Sequence, residues 1–296
     1  MDTRPYTIKT VASYYGIEAR KLQRHYKHKV SGYKQWKQYS HADEYLLYPE
    51  NIAKNLSIDE VSLSQGELYT VITNKKKNNK NKKCLVALIN GTESKTIQKV
   101  LEQIPLEKRK TVKEVSMEMA RNMSLAIENS FPYSNKVIDR FHVVKLIIEA
   151  LQHLRVKSRW EVIEQGNIAI KQAKINKVKY HPEILSNGDT AKELLARSRY
   201  LLYKYDQDWT EKQAKRANIL FEKYPLLQKA YKLTLKLRNI YHNIIKSEAI
   251  AQFYECKKEV ENLNITEFNS VIGSKEFHFE NIFKYFDNKR TNAYAE

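Results

Sequence analysis

Asp59, Glu118 and Asp139 are the residues most able to do chemistry together. Each carboxylate sits in or at the end of a short apolar run: Asn55-Leu56-Ser57-Ile58-Asp59, Val115-Ser116-Met117-Glu118-Met119 and Lys136-Val137-Ile138-Asp139. Leu56 and Ile58 alternate with Ser57 and Asp59, the period-two pattern of a strand with one apolar and one polar face. A carboxylate in such a setting is costly to bury unless a cation or metal ion balances it. Three of them in a chain of net positive charge suggest a metal site.

Carboxylates so far apart in sequence need a sheet to bring them together. β-branched and apolar content predicts strands around Asp59, at Glu67–Thr73 and at Lys83–Ile89, with a lysine-rich loop containing Lys75, Lys76 and Lys77 between the last two. That loop reads either as a soluble turn or as a phosphate contact. Thr92 or Ser94 can cap a helix running to about Ile104. A strand carrying Glu118, a helix from Ala120 to Asn129 and a strand ending at Asp139 follow. The order is an antiparallel meander continued by β-α-β crossovers, which predicts an α/β fold with a mixed sheet and helices packed on it. From about Val143 to Phe286 apolar residues recur at helical spacing, with breaks expected at Asn187-Gly188, Pro225 and Gly273. Asp189 or Thr190 can cap the helix after the first break.

The N-terminal end has its own pattern. Residues 7–29 predict two short helices, with Val11, Ala12 and Tyr15 as the apolar face of the first, Gly16 at the turn, and Ile17 packing with Leu22. The second then shows Arg20, Lys21, Arg24, His25 and Lys27 on its outer side. This resembles a helix-turn-helix whose second helix enters a DNA groove; a plain helical hairpin with a solvated basic face is the other reading. An aromatic-rich stretch from Tyr33 to Tyr48 leads into Pro49. The 52 Lys and Arg against 34 Asp and Glu leave a net charge of +18 on 296 residues, which points to a polyanionic partner, nucleic acid above all. No apolar run is long enough to span a membrane and no basic amphipathic anchor stands out. Two cysteines are too few for a disulfide framework or a zinc site, so the chain reads as reduced and cytoplasmic.

Four motifs in order carry a resemblance: Ser57-Ile58-Asp59-Glu60, Val115-Ser116-Met117-Glu118-Met119, Val137-Ile138-Asp139-Arg140-Phe141-His142-Val143 and Thr291-Asn292-Ala293-Tyr294-Ala295-Glu296. Together they resemble the DDE-class transposases of bacterial insertion sequences, the subgroup with an Asp-Arg-Phe-His motif. The resemblance implies a ribonuclease H-like sheet interrupted by an all-helical insertion. The divisions that follow are an N-terminal DNA-binding region at 1–50, a catalytic core at 51–145, the insertion at 146–285, and the start of the core's last helix at 286–296. It further implies Asp59, Glu118 and Glu296 as catalytic metal ligands for two Mg²⁺ ions, with Mn²⁺ as a substitute, and Asp139 and His142 as accessory groups. Asp139 either caps or pairs with Arg140, or sits beside the metal site; His142 either satisfies a buried backbone group, or touches DNA or a metal-bound water. Implied partners are double-stranded DNA, as element ends and target, and a second copy of the chain on DNA, on the bacterial nucleoid. Glu118 stands where the family usually has aspartate, and the motif ending at Glu296 continues into a helix in the family. The expectation is therefore a transposase that cuts and joins DNA, impaired in this copy; the alternative is a truncated, non-catalytic binder that inhibits transposition.

Overall fold

The computed structural model describes residues 6–62, 66–75 and 84–288. Two short helices come first, α1 (Ile8–Tyr14) and α2 (Ala19–His25). The Thr7 side chain accepts a hydrogen bond from the Thr10 N–H, 3.1 Å, and so caps one of the orphan donors at the start of α1. Gly16, at φ +64°, makes the left-handed turn between the helices that a side chain would strain. A single π-helical turn, Tyr26–Val30, prolongs α2. The expected apolar packing is thin: Ala12 is buried, but Tyr15 and Ile17 are exposed. A hairpin this short has too little surface to cover them.

Four strands follow: β1 (Tyr45–Leu47), β2 (Asn55–Ser62), β3 (Leu68–Asn74) and β4 (Leu85–Asn90). β2–β3, β3–β4 and β1–β4 are antiparallel, and Asp59 lies opposite Val71. The Asn74 side chain ties the hairpin base, donating to the Asn51 carbonyl (2.9 Å) and accepting from the Cys84 N–H (3.1 Å). α3 (Ser94–Leu101) turns Ile97, Val100 and Leu101 into the core, and the single turn α4 (Leu106–Arg109) follows it. Glu93, rather than Thr92 or Ser94, occupies the cap position of α3.

The other compact unit of the chain begins with β5 (Glu114–Met117). α5 (Arg121–Ser130) connects it to β6 (Asn135–Ile138), which pairs with β5 in parallel, in register from Glu114–Asn135 to Met117–Ile138. Such a strand-helix-strand connection is the expected way to join parallel neighbours. α6 then runs from Arg140 to Ile175, 36 residues. α7 (Ala191–Arg197), α9 (Pro225–Asn239) and α11 (Thr266–Phe277) pack against it, and α8 (Glu211–Lys223), α10 (Lys246–Leu263), α12 (Phe279–Phe283) and α13 (Tyr285–Asn288) complete the helical unit. Val143, Ile147, Leu151 and Leu154 of α6 are buried among them. Thr190 caps α7 in a reciprocal capping box with Glu193, and Pro225 opens α9 where its missing N–H costs nothing. Two expectations fail here. The helix that starts after Asn187-Gly188 ends at Arg197 instead of continuing to Pro225, and α11 passes straight through Gly273, since one helical glycine costs only about 1 kcal/mol.

Two polar knots hold this helical unit. Buried Arg155 donates to the Gln152 side-chain oxygen (2.7 Å) and the Leu195 carbonyl (2.8 Å), and burial lowers its pKa, with Arg199 and Arg159 adding to the shift. Buried Asp189 accepts from Arg197, Arg216 and Asn187.

The six strands order β1-β4-β3-β2-β5-β6. A mixed sheet with helices packed on it, as expected, agrees with a ribonuclease H-like core joined to a large helical region. Among the described residues no helix is long and apolar enough to cross a membrane.

Candidate metal centre

β2 is an internal strand of the sheet, and this corrects the expectation of one polar face. Ser57 and Asp59 are as buried as Leu56 and Ile58, so both faces are covered through this stretch. Asp59 is thus a carboxylate at 4 % exposure, which calls for compensating positive charge or donors. One oxygen accepts from the Glu60 N–H at 2.8 Å.

The parallel ends of β5 and β6 explain where Glu118, Asp139 and His142 sit. Met117 and Ile138 are in register, and the Asp139 N–H donates to the Met117 carbonyl at 2.9 Å. The chain leaves both strands at the same level, the carboxyl ends where open α/β sheets place their ligand sites. Glu118 therefore lies one residue past β5, not within it. Asp139 is the N-cap of α6, fully buried, its side chain accepting from the Phe141 N–H at 3.5 Å. Capping, one of the readings open for Asp139, is present in this geometry. Burial, together with the nearby Asp139 carboxylate, pushes the Tyr241 phenol well above its ordinary pKa. His142 lies in the first turn of α6, with Nδ1 3.7 Å from Glu118 Oε2.

Asp59, Glu118 and His142 each offer one ligand atom, and these atoms all lie within 4.8 Å of one another. Donors about 2.1 Å from an octahedral cation stand about 3.0 Å apart in cis and about 4.2 Å apart in trans. The 3.7 Å between His142 and Glu118 falls inside that span. Two carboxylates and one imidazole suit a divalent cation by donor chemistry.

The other expected site residues separate into two groups. Arg20, Lys21 and Arg24 share the exposed side of α2, and half-buried Lys75 follows β3, its N–H donating to the Asn55 carbonyl at 2.9 Å. Glu296, Lys76 and Lys77 lie outside the described residues. What sequence reasoning missed is the place of His142 as a potential ligand rather than an accessory group. The available signal was its position three residues after Asp139, in the first turn of a helix that starts beside Glu118.

Comparison with curated proteins finds no match. A family model described as transposase, the ISL3 group of the DDE class, matches residues 56–296, most of the chain and all of the centre just described. The chain belongs to the ISL3 family of DDE transposases.

Proposed function

We propose that this chain binds the ends of a mobile DNA element and cuts and joins strands there, using a divalent cation held by Asp59 and Glu118 with His142 beside them. Family membership carries transposase function, DNA binding, polynucleotidyl transfer and divalent-metal dependence in general terms. The observation that supports the specific reading is the convergence of Asp59, Glu118 and His142 on one ion-sized space. When bound there, a cation supplies charge stabilisation at phosphate oxygens and a more acidic water. Asp59 and Glu118 would hold it with hard oxygens suited to Mg²⁺, and the His142 nitrogen widens the fit to Mn²⁺. Three donors suit one ion; by resemblance, a second would draw on Glu296.

The remaining residues take up binding. Exposed Arg20, Lys21 and Arg24 form the face that would enter the groove, with the lysines at 75–77 as a phosphate contact. Residues 1–50 are thus assigned to DNA binding, 51–145 and 286–296 to the catalytic core, and 146–285 to a helical insertion. Glu118 in place of the family's aspartate favours a second reading, a binder that occupies element ends without cutting. The test is joining of an element-end oligonucleotide with a free 3′-hydroxyl to plasmid DNA in Mg²⁺ or Mn²⁺. The first reading expects joined product, lost in Asp59→Asn; specific binding with no product in either metal selects the second.

A further inference from the structure

The long helix α6 outruns its packing partners. On its inward side beyond Arg155, Val162, Ile163, Gly166 and Asn167 line a half-open pocket of about 270 Å³ together with Tyr180 and Pro182. On its outward side Trp160, Ile168 and Ile175 are 62 %, 61 % and 72 % exposed, and Glu164 and Lys171 between them are exposed too. At 3.6 residues per turn these five side chains fall within an arc of about 80°. Three large apolar groups aligned on one solvent-facing stripe mark an interaction surface rather than scattered exposure.

We propose that this stripe is where two copies of the chain associate, with the two α6 helices antiparallel about a two-fold axis passing beside Asn167 and Ile168. The stripe is self-complementary under that reversal. Turning the helix about the midpoint between Asn167 and Ile168 sets Trp160 against Ile175, Glu164 against Lys171, and Ile168 near its own counterpart. Every contact occurs twice, which is the requirement for an isologous interface that closes. Glu164 and Lys171 both lie near the middle of the arc, so the opposite charges meet at the centre of the contact and fix its register. A parallel arrangement would instead stack Glu164 on Glu164 and Lys171 on Lys171. The paired stretch, 16 residues or about 24 Å, lies at the small end for a specific interface, so the dimer is expected to be reversible at micromolar concentration. Neither the metal centre nor the DNA-binding assignment enters this inference.

Sedimentation velocity on the full chain without DNA, from about 1 to 100 µM, tests it. The wild type should show a reversible monomer–dimer equilibrium. Ile168→Asp should leave monomer only, and Glu164→Lys or Lys171→Glu should each weaken association at least about tenfold. The double reversal Glu164→Lys/Lys171→Glu should return it to within about threefold of wild type, because both pairs are restored with their signs exchanged. These positions are exposed, so circular dichroism and melting should show every variant folded. A wild type that stays monomeric overturns the proposal. So does a dimer indifferent to Ile168→Asp, or a double reversal no better than the singles. A monomer whose DNA affinity falls with Trp160→Ala or Lys171→Ala would assign the face to nucleic acid instead.

Discussion

Shortening Glu118 to aspartate should weaken metal binding. Glu118 Oε2 stands 3.7 Å from His142 Nδ1. Removing one methylene draws the carboxylate back by up to about 1.5 Å, one carbon–carbon bond. The separation then grows to as much as about 5.2 Å, beyond the roughly 4.2 Å that trans donors on one cation can span. In Glu118→Asp an ion held by Asp59 must therefore give up either the carboxylate or the imidazole. Misplacement on this scale costs on the order of 10–100-fold in affinity or rate. Isothermal calorimetry with Mn²⁺ on the full chain is the assay, with His142→Ala as the companion. Both variants should bind Mn²⁺ more weakly by about the same factor, and the double variant should lose little more than either single, since ligands of one ion act as a unit. Glu118→Asp binding as tightly as wild type would show that Glu118 and His142 do not share an ion.

Three further outcomes are expected. Arg155→Met leaves the Leu195 carbonyl and the Gln152 side-chain oxygen without their buried donor, and should cost about 2–5 kcal/mol in urea unfolding with an unchanged slope; a loss under about 1 kcal/mol would mean Arg155 is not a structural tie. Burial, with Lys136 adding to it, holds the folded-state pKa of His278 below its ordinary value of 6.5. The unfolded chain then binds that proton more tightly, so the contribution is fully present above about pH 6.5 and is lost as pH falls below it. His278→Gln should flatten the fall in unfolding midpoint between about pH 7 and pH 5, and an unchanged profile would rule the group out. Replacing Arg20, Lys21 and Arg24 together by Ala should weaken binding to element ends more than to random duplex; equal loss on both would reduce α2 to a charge contact.

The sheet was largely legible because its strands carry strong local signals. Leu56, Ile58 and the apolar runs before Glu118 and Asp139 gave the element order, and the lysine-rich stretch marked a hairpin. β1 was not legible: three half-buried residues inside an aromatic stretch have no periodicity to read. Burial of Asp59 on a strand covered on both faces was hidden as well, since serine and aspartate alternating with leucine and isoleucine look half-solvated until the neighbouring strands are known. Capping by Asp139 stood among the readings, as short polar residues before helices allow. The approach of Glu118 to His142 was out of reach. They are separated by a helix and a strand, and only the common level at which parallel β5 and β6 end makes them neighbours.

Whether Asp59, Glu118 and His142 take hold of the same divalent cation can be read from pulsed electron paramagnetic resonance on the Mn²⁺-loaded full chain. A nitrogen ligand imprints a ¹⁴N coupling on the Mn²⁺ signal, and carboxylates do not. Wild type should show that coupling. His142→Ala should keep weakened Mn²⁺ binding with the coupling gone, and Asp59→Asn should lose most of the bound Mn²⁺. Bound Mn²⁺ without nitrogen coupling in the wild type, or equal binding by Asp59→Asn, would mean that the three residues do not share a cation.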